Sequence, residues 1–260
     1  MLRFSANLGF LWPGQPLLDR IDAAAAAGFT AIELHWPYDV PPEEVRAACL
    51  RRNLALLNIN AARGDPAQGE FGLAALAGRE ADFRASLDQS IAWCRAAGGS
   101  AIHVLAGRVD APARAAARET LVANLREAAA RVPDLTLLLE PMNRRDSPRY
   151  FYSSVEEAGE VLERVAAPNV RIMFDVYHIA IAQGDVLMRL RKWIAAIGHV
   201  QIAAVPSRAE PDEGEIAYRA IFDELENLGY EGWIGCEYRP RAGMDEGLGW
   251  IGRLGLTALA

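Results

Sequence analysis

Lysine is almost missing from this 260-residue chain: of 27 basic residues only Lys192 is one. An imine-forming amine therefore has a single candidate, and it sits inside the helical run Arg191-Lys192-Trp193. Cysteine is sparse too. Cys49, Cys94 and Cys236 are far apart, odd in number and without a Cys-x-x-Cys pair. That excludes a disulfide framework and a structural thiolate site, and it sets the expectation of a reducing, cytoplasmic location. Histidine numbers four, with no His-Glu-x-x-His. No Gly-x-Gly-x-x-Gly follows the first strand-like run and no Walker loop occurs, which weakens nucleotide-binding readings. No apolar run is long enough to span a bilayer, since the alanine run 23–27 is bounded by Asp22 and Gly28. The N-terminal segment lacks the apolar core of a signal peptide, being broken at Pro13-Gly14. No long cationic run offsets the net charge of −7, so a broad nucleic-acid or anionic-membrane surface is not expected. An anionic ligand must be held by a few local cations.

What the chain does have is a 52% hydrophobic composition arranged as an alternation. Short β-branched or leucine-rich runs fall near 3–7, 31–35, 55–60, 101–105, 135–140, 171–175, 199–202 and 233–237. Between and after them lie runs of helical period near 16–27, 42–51, 79–97, 112–131, 154–166, 179–196, 216–228 and 245–254. This predicts an α/β protein of eight βα units, a (β/α)8 TIM barrel, with a doubly wound open sheet as the alternative. Glycines at 28, 98, 198 and 229 stand where left-handed helix stops are expected. No composition shift or linker divides the chain, so 1–260 reads as one domain. The long polar connections 61–78 and 141–153 are candidate lids.

In such a barrel the site lies at the carboxyl ends of the strands. Glu140, Asp175, Gln201 and Glu237 end, or nearly end, four consecutive apolar runs. Singly, each is as readily a helix cap or a solvated loop residue; together they converge on one side of the barrel mouth. Three crowded carboxylates raise one another's proton affinity unless a cation sits among them. An all-oxygen set with one amide favours Mg²⁺ or Mn²⁺. The alternative is pairing with Arg144, Arg145 or Arg239. A divalent ion flanked by two glutamates suits proton transfer beside a carbonyl, one carboxylate removing and the other returning the proton.

The segments Arg3-Phe4-Ser5-Ala6-Asn7-Leu8, Leu139-Glu140-Pro141-Met142-Asn143, Phe174-Asp175-Val176-Tyr177-His178, Gly198-His199-Val200-Gln201-Ile202-Ala203, Gly214-Glu215-Ile216 and Gly232-Trp233-Ile234-Gly235-Cys236-Glu237-Tyr238 resemble the hydroxypyruvate isomerase family. That family lies among the xylose-isomerase-like barrels and includes 2-oxo-tetronate isomerases. The resemblance implies Glu140 and Glu237 as the proton donor and acceptor. It also implies Glu140, Asp175, Gln201 and Glu237 as metal ligands, with interconversion of hydroxypyruvate and tartronate semialdehyde as the reaction. Arg208 looks like the family's substrate-binding arginine, with pairing to Glu210 or Asp212 as the plainer reading. His178 matches a histidine that contacts substrate oxygens in related epimerases. Asp146 can reach a substrate hydroxyl or simply make a turn. The segments Ala204-Val205-Pro206 and Asn60-Ala61-Ala62-Arg63-Gly64-Asp65-Pro66 depart from the family pattern and bear on substrate choice.

The expected partner is a small keto acid or sugar acid, with neither nucleic acid nor membrane; a homo-oligomer is compatible with the arginine-rich helices. The rivals are a 2-dehydrotetronate isomerase or ketose 3-epimerase on the same site, a metal-dependent endonuclease, and a non-catalytic barrel.

Overall fold

Strands that are apolar on both faces need cover on both, and a parallel sheet closed on itself inside a ring of helices provides it. The computed structural model describes residues 2–256, without the side chains of Asp245 and Glu246. The one-domain expectation for 1–260 thus includes Met1 and residues 257–260, which lie outside the described residues.

Among the described residues the strands are β1 (Arg3–Asn7), β2 (Ala31–Leu34), β3 (Ala55–Asn60), β4 (Ala101–His103), β5 (Thr136–Leu139), β6 (Val170–Asp175), β7 (Ile197–Ile202) and β8 (Trp233–Cys236). They form a closed barrel in chain order, and every adjacent pair is parallel. Pairing of Ser5 with Gly235 and Ala6 with Cys236 closes the ring between β1 and β8. This is the predicted TIM barrel, and the open-sheet alternative is excluded.

The helices are α1 (Leu17–Ala26), α2 (Pro42–Arg52), α3 (Glu80–Ala97), α4 (Arg114–Arg131), α5 (Val155–Val165), α6 (Val176–Ala182), α7 (Val186–Trp193), α8 (Tyr218–Asn227), α9 (Met244–Gly247) and α10 (Trp250–Arg253). Their start signals are local. Ser154 and Glu157 form a reciprocal capping box on α5, worth about 1 kcal/mol. Asp175 accepts from the Tyr177 amide at 2.8 Å and so starts α6 directly at the end of β6.

Four expectations are corrected. The helix predicted over 179–196 is two helices and a 3-10 turn, because Gly184 and Asp185 have φ of +66° and +50° and break the run. The predicted helix 245–254 is the short pair α9 and α10, interrupted by Gly249. Trp250 nevertheless anchors α10 against Phe4 and Phe222, with ring centroids 5.4 and 6.4 Å away. Strand β4 ends at His103, short of the predicted 105, and the carbonyls of Leu105 and Ala106 beyond it accept from Ala74 and Ala75 and tie the 61–78 connection to the barrel rim. Gly198 is no helix stop. It lies within β7, where a Cβ would stand 2.7 Å from that of Arg171, so close approach is the reason for glycine there. Gly28, Gly98 and Gly229 do have the expected positive φ.

Candidate active site

Residues at alternate strand positions face the barrel interior, and those at the carboxyl ends meet at its mouth. The mouth opens into a cavity of about 1070 Å³ whose walls include Phe10, His35, Trp36, Glu140, Asp146, Tyr177, His178, Arg208 and Glu237. The predicted site residues Glu140, Asp175, His178, Gln201 and Glu237 are all buried.

Glu140 follows β5. Its Oε2 is 3.5 Å from His103 Nδ1 and its Oε1 is 3.7 Å from His178 Nε2. Asp175 Oδ2 is 3.6 Å from the same His178 Nε2. Glu140, Asp175 and His178 each offer a ligand atom within 4.8 Å of the others. Burial, then the charges of Glu237 and Asp175, hold the Glu140 carboxyl well above its usual range. Burial and the Glu237 charge raise Asp175 to about 7. Both groups are short of positive charge.

Glu237, just past β8, is in the opposite situation. Its Oε1 accepts from Asn7 Nδ2 at 3.2 Å and faces His35 Nε2 at 2.9 Å, while Oε2 accepts from Arg208 Nη2 at 2.9 Å. Burial pushes its proton affinity up, but His35 and the Arg208 charge outweigh burial and hold the carboxyl well below the usual range. Two buried glutamates on one cavity thus have proton affinities pushed in opposite directions.

Arg208 does not pair with Glu210 or Asp212, which pair with Arg241 instead. Its guanidinium lies over the rings of Phe10 and Tyr177, 4.7 and 4.8 Å from their centroids. Nη1 is 3.9 Å from Asp146 Oδ2, and Nε is buried without a partner. Of the arginines that could have neutralised the carboxylates, Arg145 turns to Tyr177 and Asp146, and Arg239 lies over Phe10.

His178 has a defined tautomer. Its Nδ1 accepts from the Asn143 amide N–H at 3.1 Å and lies 2.6 Å from Asn143 Nδ2. The imidazole proton is therefore on Nε2, the nitrogen facing Glu140 and Asp175. Burial, then the Arg208 charge, lowers its pKa to about 3, so the ring is neutral. A nitrogen carrying a proton is a hydrogen-bond donor, not a metal ligand. Asp146 Oδ2 accepts from Tyr177 Oη at 2.7 Å and Asn143 Nδ2 at 3.2 Å, and so holds the residue that holds His178.

Gln201 donates from Nε2 to Glu33 at 2.9 Å, and its Oε1 is buried with no donor. The unpaired Gln201 oxygen and the Glu140 and Asp175 carboxylates are oxygen donors of the kind a divalent metal takes.

Asn7, Asn143 and Glu33 are among the contributors that the residues alone do not single out. Asn7 and Asn143 stand inside quoted motifs, at a strand end and a loop start, and polar amides at those positions were the available signal. Glu33 is a carboxylate within an apolar strand, two residues before His35.

The chain matches the family model described as xylose isomerase-like TIM barrel over residues 21–254. It belongs to that family. Within it, the chain is 47% identical over 254 residues to a 2-oxo-tetronate isomerase of Cupriavidus necator, covering 96% of this chain and 98% of that one. It is 38% identical to a hydroxypyruvate isomerase of Escherichia coli, with the same coverage of both chains. A crystal structure from Brucella melitensis, described as an AP endonuclease of family 2, superposes with a TM-score of 0.95 at 40% identity, over 97% of this chain and 99% of that one. Of the four predicted strand-end residues, Glu140 and Glu237 line the mouth cavity, while Asp175 and Gln201 are buried at the ends of β6 and β7.

Proposed function

We propose that this chain is an isomerase of 3-hydroxy-2-oxo acids, converting hydroxypyruvate to tartronate semialdehyde and back. The observation that carries the reading is the opposed state of two glutamates on one cavity. Glu237 is bonded by His35, Arg208 and Asn7, contacts that favour its ionised form, whereas Glu140 faces two buried imidazoles and the Asp175 and Glu237 charges, which favour its protonated form.

Glu237 removes the proton from the hydroxyl-bearing carbon, Glu140 delivers one to the neighbouring carbonyl carbon, and the hydroxyl proton passes across the enediol to the former carbonyl oxygen, so that the old hydroxyl becomes the aldehyde; a proton then returns from Glu237 to Glu140 through solvent. His178 donates from Nε2 to a substrate oxygen as charge develops there, and remains a neutral donor throughout. Arg208 binds the substrate carboxylate; its planar fork suits that anion, and the Phe10 and Tyr177 rings fix its plane. Asp146 presents a carboxylate oxygen to a substrate hydroxyl. Glu140, Asp175, Gln201 and Glu237 would hold Mg²⁺ or Mn²⁺, which supplies Lewis-acid polarisation of the carbonyl when bound.

A second reading within the same chemistry is 2-oxo-tetronate, one carbon longer. It is favoured by the 47% identical relative of that name and by a cavity with more room than a three-carbon acid fills. The endonuclease reading is opposed by the net charge of −7, which gives a phosphate backbone no broad cationic surface. A non-catalytic barrel would have no use for two glutamates held in opposite states. Free buried cysteines fit the expected cytoplasmic setting.

Metal-stripped protein is assayed with hydroxypyruvate and with 2-oxo-tetronate, each with and without Mg²⁺ or Mn²⁺. Tartronate semialdehyde is read through an NADH-dependent reductase. Metal-restored turnover of hydroxypyruvate supports the first reading, turnover of the tetronate alone transfers the function to the second, and silence with both sinks the proposal.

A further inference from the structure

Glu33 is completely buried inside the barrel, although it belongs to an apolar strand. A carboxylate there is tolerated only if its oxygens are fully partnered. Its partners come from distant parts of the chain. Oε1 accepts from Ser5 Oγ on β1 at 2.5 Å and stands 3.0 Å from His199 Nε2 on β7. Oε2 accepts from Gln201 Nε2, also on β7, at 2.9 Å. On β8 the space for the carboxylate exists because residue 235 is glycine: a Cβ there would lie 2.2 Å from Glu33 Oε1.

From this arrangement, and resting on the reading of Gln201 as a metal ligand, we infer that Glu33 is the positioning residue that fixes which end of the Gln201 amide faces the metal site. A side-chain amide has a donor end and an acceptor end of nearly equal size, and packing alone does not distinguish them. Here the Glu33 carboxylate accepts at both oxygens, from Ser5 Oγ and from Gln201 Nε2. It therefore takes the NH₂ end of Gln201 and turns the carbonyl oxygen away, and that oxygen is buried without any donor. Reversed, the amide would set two N–H donors toward the cation and leave oxygen against oxygen at Glu33. Partners behind a metal ligand commonly set its orientation and are worth about 10–100-fold in affinity.

The test is the dissociation constant for Mn²⁺ alone, measured on the full chain from the paramagnetic resonance signal of free Mn²⁺, together with thermal unfolding of the metal-free protein. Glu33→Gln keeps size and shape but removes the one-way preference, and we expect it to weaken Mn²⁺ by about tenfold or more. Gly235→Ala displaces the carboxylate without changing its chemistry, and reads the same contact should Glu33→Gln fail to fold; the same direction is expected. Gln201→Leu sets the scale. A merely structural role for Glu33 would lower the melting temperature while leaving Mn²⁺ affinity alone. If Gln201→Leu weakens Mn²⁺ but the folded Glu33 and Gly235 variants bind within twofold of the parent, the positioning role is overturned and the metal site stands. If Gln201→Leu itself leaves Mn²⁺ binding unchanged, Gln201 is no ligand, and both the site reading and this inference fall.

Discussion

His35 and Glu237 meet at 2.9 Å, Nε2 to Oε1, although 202 positions separate them in the chain. The contact joins the end of β2 to the end of β8, across β1, and with Arg208 it keeps Glu237 ionised in a buried site. Glu140, flanked by two histidines whose pKa values burial lowers to about 3, feels the Arg208 charge too, but burial and the charges of Glu237 and Asp175 outweigh it. The two glutamates are therefore chemically unequal before any substrate arrives, and the inequality assigns base to Glu237 and acid to Glu140.

The assignment separates the two steps of the reaction. Glu140→Gln and Glu237→Gln should each lower kcat by about 10²–10⁴-fold while both variants still unfold cooperatively. In D₂O the Glu140 variant keeps its base and should still exchange the substrate C–H without forming product, whereas the Glu237 variant should do neither. Exchange followed by proton NMR checks this. Exchange in the Glu237 variant with none in the Glu140 variant would reverse the roles.

Gly9 offers an independent handle on the same pair. A Cβ at that position would lie 2.2 Å from His35 Nδ1, so Gly9→Ala forces the ring away from Glu237. Loss of that partner raises the Glu237 proton affinity, and activity should fall as it does in His35→Ala. The double variant should lose little more than either single, since both act on one contact. Additive losses would show that Gly9 matters for another reason.

Metal binding should strengthen as pH rises. In the metal-free protein Asp175, raised to about 7, binds a proton that a cation must displace. Below pH about 7, apparent Mg²⁺ or Mn²⁺ affinity should drop by up to about tenfold per pH unit for each proton displaced. The sign for stability follows from the same raised carboxyl: a folded-state pKa above the unfolded one stabilises at low pH and the contribution is lost as pH rises through about 7. Metal-free protein should thus melt at a lower temperature at pH 8 than at pH 6, and saturating metal should remove the difference. A calorimetric titration in buffers of different ionisation enthalpy reads the protons directly.

Much of this was legible in the chain because barrel strands are apolar runs and the site sits where they end. Glu140, Asp175, Gln201 and Glu237 could be named without coordinates because each follows such a run. Glu33 could not. It lies inside β2 rather than at its end, and its partners on β1, β7 and β8 become neighbours only when the barrel closes. The break between α6 and α7 was hidden for a local reason: apolar residues on both sides of Gly184-Asp185 keep a helical period through a point where both residues take positive φ. At Gly198 a glycine needed for close approach to Arg171 looks in sequence like one needed for a turn.

Outside the site, α5 and α7 are packed too closely for a methyl group. A Cβ on Gly159 would lie 1.9 Å from the far edge of the Trp193 ring. Alanine gains up to about 1 kcal/mol of helix propensity over glycine, but overpacking costs about 1–3 kcal/mol, so Gly159→Ala should be neutral to destabilising by about 2 kcal/mol. Urea unfolding checks it. kcat should be unchanged, because neither residue lines the cavity.

Arg208→Lys tests the anion subsite while retaining the charge. Lysine gives Glu237 a cation but lacks the planar fork, and its ammonium does not stack between Phe10 and Tyr177 as the guanidinium does. Loss of one bidentate charge-assisted contact, worth about 1.5–3 kcal/mol, predicts a KM for the keto acid raised by about 10–150-fold. With a cation still beside Glu237, kcat should fall far less. Arg208→Gln removes the charge as well, so the Glu237 proton affinity rises and kcat should collapse along with binding. The contrast between the two variants separates holding the substrate from keeping the base ionised; equal kcat losses in both would mean that Arg208 acts on Glu237 alone and that another group takes the carboxylate.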